Sequence, residues 1–69
     1  MKLSEIRALS DVELKAKVDE TREELMNLRF QVSMGTLPDF TRMRQTRRVI
    51  ARLLTVQRER ELMLKEGAE

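Results

Sequence analysis

At 69 residues the chain has room for one domain at most, and so short a chain buries a small share of its surface. It has neither Cys nor His, which excludes disulfides and the usual zinc and haem ligand sets. Charged residues make up 38% and aromatic residues 3%, with no Trp or Tyr, a composition that suits long helices rather than a β-sandwich or barrel. Mean hydropathy is −0.50, and no apolar run approaches the ~20 residues that cross a bilayer. The opening ten residues carry Lys2, Glu5 and Arg7 without an apolar core, unlike a signal peptide. The expectation is a cytoplasmic protein that does not enter membranes.

Helix signals begin early and strand signals are missing. Lys2 to Leu9 leaves room for a short N-terminal helical turn. Ser10-Asp11-Val12-Glu13 fits a capping box, in which Ser10 and Glu13 satisfy unpaired backbone N–H groups at a helix start. Leu14, Val18, Thr21, Leu25, Leu28 and Val32 then recur at spacings of four and three, a seam on one face with Thr21 its single polar member. Gly35 is placed to end this helix in the left-handed conformation. The pattern predicts a first helix over about residues 11–34, roughly 36 Å long. Gly35-Thr36-Leu37-Pro38-Asp39 reads as a loop, with Leu37 extended before Pro38 and Asp39 capping the next helix. That second helix is expected over about residues 40–65. Its apolar face is Met43, Ile50, Leu53, Leu54 and Leu64, with Thr46 and Gln57 between. Gly67 to Glu69 should fray. The expected architecture is all-α, a single domain over residues 1–69 built as an antiparallel two-helix hairpin.

Enzyme chemistry finds little footing in this pattern. Ser and Thr have no His to activate them, the carboxylates fall on solvated helices or in the loop, and two glycines cannot form a phosphate-cradling loop. The reading is therefore not an enzyme, with no cofactor, no metal and no small-molecule substrate.

The net charge of +2 conceals a strong local asymmetry. Residues 1–34 hold six basic and seven acidic side chains, for −1, and residues 59–69 hold two basic and four acidic, for −2. Residues 35–58 hold six Arg against Asp39 alone, for +5. No acid occurs from Phe40 to Gln57, and the segment uses Arg throughout, never Lys. Guanidinium groups grip phosphates bidentately and stack on bases, which ammonium groups cannot do. At 100° per residue, Arg44, Arg47, Arg48, Arg52 and Arg58 spread over about 140° of the second helix, beside the apolar sector. A bland alternative is a solvated face neutralised by Glu20, Glu23 and Glu24 of the first helix. The charge pattern favours nucleic acid. Folded RNA accepts a rigid basic helix more readily than duplex DNA, whose readers carry base-reading Asn or Gln in recognised motifs.

Met26, Phe30 and Met34 lie on the first helix roughly opposite its seam, and Val49 and Val56 flank the second helix away from its main apolar face. These five either close over the hairpin end against Phe40 or meet a neighbouring protein.

Several stretches together resemble one family. They are Met1-Lys2-Leu3-Ser4-Glu5-Ile6-Arg7, Asn27-Leu28-Arg29-Phe30-Gln31, Gly35-Thr36-Leu37, Arg42-Met43-Arg44-Gln45-Thr46-Arg47-Arg48-Val49-Ile50-Ala51-Arg52 and Leu54-Thr55-Val56-Gln57-Arg58-Glu59-Arg60. The chain is similar to bacterial large-subunit ribosomal protein twenty-nine over nearly its whole length, with Pro38-Asp39 a local departure in the loop. The resemblance implies a helical hairpin on 23S ribosomal RNA at the rim of the polypeptide exit tunnel, beside ribosomal protein twenty-three. It also implies proximity to the docking places of trigger factor and the signal recognition particle. On this reading Arg29 joins Arg42, Arg44, Arg47, Arg48, Arg52 and Arg58 as RNA-binding residues. The rival from another class is a self-associating coiled-coil adaptor, suggested by the regular first seam and the tail rich in Glu and Arg. A basic amphipathic helix for membranes or calmodulin is weaker, since Phe40 is the one aromatic residue beside the second helix.

Overall fold

The computed structural model describes residues 1–36 and 40–67. Among these residues three helices occur in order, α1 over Leu3–Arg7, α2 over Asp11–Ser33 and α3 over Thr41–Gly67. The two long helices pack on each other as a hairpin, and α1 folds back onto α3. The molecule is a rod of 51 × 19 × 16 Å.

Local chemistry sets both ends of α2. Ser10 is extended (φ −69°, ψ 167°), and its hydroxyl accepts from the Glu13 backbone N–H at 3.2 Å. The Glu13 carboxylate accepts in return from the Ser10 N–H at 3.2 Å, completing the capping box. At the far end Gly35 adopts φ +71°, a conformation that costs a residue bearing Cβ more than glycine. The Gly35 N–H donates to Val32 O at 3.0 Å and the Thr36 N–H to Gln31 O at 2.9 Å, the paired bonds of a Schellman motif. The expected conformations of Leu37, Pro38 and Asp39 fall outside the described residues, as do Ala68 and Glu69. Gly67 itself is the last residue of α3, so that helix runs two residues past the expected end. Lys65 in the last turn complements the negative end of the helix dipole.

The seam on α2 packs as its spacing requires. Leu14, Val18, Thr21, Leu25 and Leu28 are buried, and Val32 is half-buried near the turn. The polar members of the two seams are both satisfied within their own helices. Thr21 donates to Lys17 O at 2.7 Å and Thr46 to Arg42 O at 2.8 Å, so neither buried hydroxyl lacks a partner.

On α3 the apolar face is rotated from the one the sequence suggests. Thr46, Leu53 and Val56 are buried, whereas Met43, Val49, Ile50 and Leu54 are half-buried. Leu64, expected on this face, is 72% exposed. The cause is α1. Ile6 is fully buried in one cluster with Leu14, Val18, Leu53 and Val56, and Leu9, Val49, Ile50 and Leu54 pack around it. A two-helix reading leaves Val49 and Val56 on an outer flank, about 20° apart on the wheel. The third helix covers that flank. Leu64 loses its cover because α2 begins at Asp11, whose carboxylate already reaches Arg60.

Two outcomes test this packing. Val56→Ala should lower stability by about 2 kcal/mol, from lost apolar burial and the cavity left behind, and Leu64→Ala should change it by less than about 0.5 kcal/mol. Urea titrations followed by circular dichroism give both numbers, and equal effects would place α1 off the core. The second outcome concerns acid. The Ser10 side-chain and backbone hydrogen bonds hold the Glu13 carboxylate below its ordinary value of 4.5. A depressed folded-state value means a contribution present above that ordinary value and lost as pH falls through the lower folded one. Glu13→Gln can still accept from the Ser10 N–H and should flatten this part of the acid limb of helicity against pH.

Candidate nucleic-acid interface

Helix α3 carries six arginines between Arg42 and Arg58, and the structure sorts them by partner. Arg42 turns toward α2, where its guanidinium donates to a Glu24 carboxylate oxygen at 2.9 Å. Arg52 donates to the Met1 carbonyl at 3.3 Å, beside the docked N-terminus. Arg58 pairs one turn onward with Glu61 at 3.4 Å. Arg44, Arg47 and Arg48 are exposed, and their side chains make no hydrogen bond or ion pair among the described residues. Those three line a shallow depression on the outer side of α3 together with Ala51.

The pattern of partners is set by position. Thr46 and Leu53 fix which side of α3 faces α2, and residues about 180° away must face solvent. Arg44 and Arg48 occupy that outer sector and Arg47 lies at its edge, and among the described residues no carboxylate from α1 or α2 pairs with any of the three. Arg42 lies near the seam, so Glu24 meets it across the hairpin. The anticipated neutralisation by acids of the first helix thus occurs at Arg42 and stops there: Glu20 is occupied by Lys17 on its own helix at 3.5 Å. The Arg42 and Arg58 pairs are exposed ion pairs of the kind that contribute little, so a phosphate can displace either carboxylate. Arg29 lies on α2, exposed and without an ion pair among the described residues.

The five apolar candidates separate into two groups. Met26 and Phe30 are each 65% exposed and Met34 62%, on the side of α2 turned from α3. They do not close over the hairpin end, because Phe40 is itself 51% exposed. Val49 and Val56 form the other group and correct the expectation: Val56 is 1% exposed in the core, and Val49 is half-buried against it. Val56 is therefore closed to another protein, and Val49 keeps only part of its surface open.

Arg60 is a residue whose role the sequence conceals. Set between Glu59 and Glu61, it reads as surface charge. Its side chain is only 25% exposed, and it donates to Asp11 Oδ1 at 2.8 Å, Leu9 O at 2.6 Å and Arg7 O at 3.2 Å. Leu9 and Arg7 close the end of α1 and Asp11 opens α2, so one guanidinium ties three elements together. Arg7 adds a bridge to Glu59 at 3.3 Å. Five donors in a rigid fork suit this task, and Lys could not reproduce it.

Fold and site together define a class: small all-α hairpins with an arginine face lacking acid partners and a separate exposed apolar patch. Comparison with known proteins gives the particular family. The family model described as "Ribosomal L29 protein" matches residues 4–60. The chain is 55% identical over 62 residues to the large ribosomal subunit protein uL29 of Symbiobacterium thermophilum, covering 90% of this chain and 89% of that one. It is 53% identical over 62 residues to the protein of the same name from Natranaerobius thermophilus, covering 90% and 95%. For that of Bacillus cytotoxicus the identity is 50%, covering 90% and 94%. The chain belongs to the ribosomal L29 protein family. It is a structural component and not an enzyme.

Arg60 supplies the test of this arrangement. Arg60→Gln should lower stability by about 1–3 kcal/mol, as expected for losing charge-assisted bonds at a partly covered site. Arg60→Lys should recover only a fraction. Denaturant titration of the three chains decides between a latch and ordinary surface charge, which would leave all three equal.

Proposed function

We propose that this chain, as a structural constituent of the large ribosomal subunit in the bacterial cytoplasm, holds 23S ribosomal RNA on the outer face of α3. Arg44, Arg47 and Arg48 supply the primary phosphate contacts, and Arg42, Arg52 and Arg58 join when phosphate replaces their present partners. Arg29 extends the contact from α2. The observation that carries the reading is the set of three adjacent arginines with no acid partner, on a helix face without a carboxylate from residue 40 to residue 57. Leaving such charge uncompensated disfavours the folded state through self-repulsion, and a polyanion removes that repulsion.

The same reading places the hairpin at the rim of the polypeptide exit tunnel. Met26, Phe30 and Met34 there meet a neighbouring protein, ribosomal protein twenty-three, and lie near the docking places of trigger factor and the signal recognition particle. What supports this is the family resemblance together with the exposure of three large apolar side chains on the side of α2 turned from α3.

Each neutralised phosphate releases condensed counterion, so affinity should fall steeply with salt. Arg48→Gln is expected to weaken binding to 23S RNA and to reduce the log–log salt slope by about 0.7–0.9, one contact's worth. Helicity should be preserved, because Gln is a fair helix former at an exposed position. Lys65→Gln, at an exposed position near the end of α3, is the control. Filter binding across a salt series gives the comparison. If Arg48→Gln and Lys65→Gln were equally harmless, the basic face would be solvated surface and the coiled-coil adaptor the better account.

A further inference from the structure

Ala51 lies within the arginine face and not at its edge. At 100° per residue Ala51 is flanked by Arg47 about 40° to one side, with Arg44 about 20° and Arg48 about 60° to the other. The depression on the outer side of α3 has Ala51 for its floor and Arg44, Arg47 and Arg48 for its walls. Ala51 is exposed and contributes nothing to the apolar cluster. One turn further on, the Thr55 hydroxyl donates to the Ala51 carbonyl at 2.8 Å, which keeps that side chain turned in along the helix.

We infer that the phosphodiester backbone of one RNA strand crosses α3 at Ala51, seated in this depression between Arg47 and Arg48 with Arg44 two turns toward the N-terminus. The argument is steric and electrostatic together. A guanidinium that meets a phosphate end-on from a long flexible stem holds a charge at a distance. Guanidiniums rising on both sides of a methyl group let the strand approach the helix, so that the forks close on phosphate oxygens bidentately from either flank. Position 51 must then stay small for a reason unrelated to folding, since a larger side chain would meet open solvent in the free protein. Ala51 is in this sense a specificity-determining position without charge or hydrogen-bonding capacity of its own.

The inference rests on the reading that this face binds RNA, and the experiment keeps the two apart. The full-length chain is titrated against purified bacterial 23S RNA as wild type, Ala51→Leu, Ala51→Ser, Ala16→Leu and Arg48→Gln, with circular dichroism and urea titration on each. Leu is a strong helix former, so Ala51→Leu should fold with wild-type helicity and stability. Its affinity should fall by about tenfold or more, the scale expected when bulk is forced into a close contact. Ala51→Ser should remain within about twofold of wild type, as should Ala16→Leu, which adds the same bulk at an exposed position of α2. If Ala51→Leu bound within about twofold of wild type while Arg48→Gln lost affinity, the strand would not cross at Ala51, and the inference would fall with the RNA-binding reading intact. If both bound as wild type, the RNA-binding reading itself would fall. Loss of affinity in Ala51→Leu without loss in Arg48→Gln would also overturn the inference, because the seat would then not depend on its arginines.

Discussion

Ile6 closes against Leu53 and Val56, and the rest of the structure depends on that contact. A two-helix hairpin buries one stripe per helix and leaves the flanks of each stripe wet. In a chain of 69 residues the resulting core is too small to hold two long helices firmly. The five-residue α1 changes the geometry from a pair of stripes to a three-sided cluster, in which Ile6, Leu14, Leu53 and Val56 are nearly inaccessible to solvent. Burial of this kind is the main favourable contribution to folding. Arg60 then binds the carbonyls of Arg7 and Leu9 and the carboxylate of Asp11, so the end of α1 and the start of α2 are satisfied by a single side chain from α3. Apolar contact gives the cluster its stability, and the guanidinium fixes how the three helices meet.

That closed end determines which arginines stay open. With α3 held by Leu53 and Val56 on one side, the sector carrying Arg44, Arg47 and Arg48 faces outward along its whole length. Arg42 and Arg52 lie nearer the packed flanks, where they find Glu24 and the Met1 carbonyl. Arginine thus serves two purposes in one chain. At Arg60 its planar fork gathers neutral and charged acceptors at a partly covered junction. On the outer face the use we propose for the same fork is to hold phosphate, where its weak hydration relative to an ammonium keeps the desolvation cost of contact low. Both uses require donors in fixed geometry, which accounts for Arg in preference to Lys in each place.

The separation of surfaces has its origin in the same arrangement. The α2 helix carries Met26, Phe30 and Met34 on the side turned from its partner, and α3 carries the uncompensated charge on its own outer side. A rod with these two faces suits the proposed function, with one side for RNA and the other for a protein. In-helix satisfaction of Thr21 and Thr46 lets polar residues sit in the seam without leaving unpaired hydroxyls.

Much of this was legible in the residues taken in order. The capping box at Ser10 and Glu13, the glycine end at Gly35, the seam from Leu14 to Leu28 and the arginine block are local or periodic. Local hydrogen bonds and a 3.6-residue repeat act within a few turns, so the spacing of side chains is enough to specify them. The family likeness also rested on contiguous stretches, and the match over residues 4–60 agrees with it. Tertiary structure alone decided the placement of Val56, the latch at Arg60 and the exposure of Leu64. The first two depend on where α1 lies across more than forty residues of intervening chain and the third on where α2 begins, and no periodicity within α3 reports either. The division among the arginines has the same origin: which guanidinium is tied and which is free depends on acceptors brought near by the fold, Glu24 from α2 and the carbonyls of the N-terminal segment, and not on the charge pattern of α3 itself.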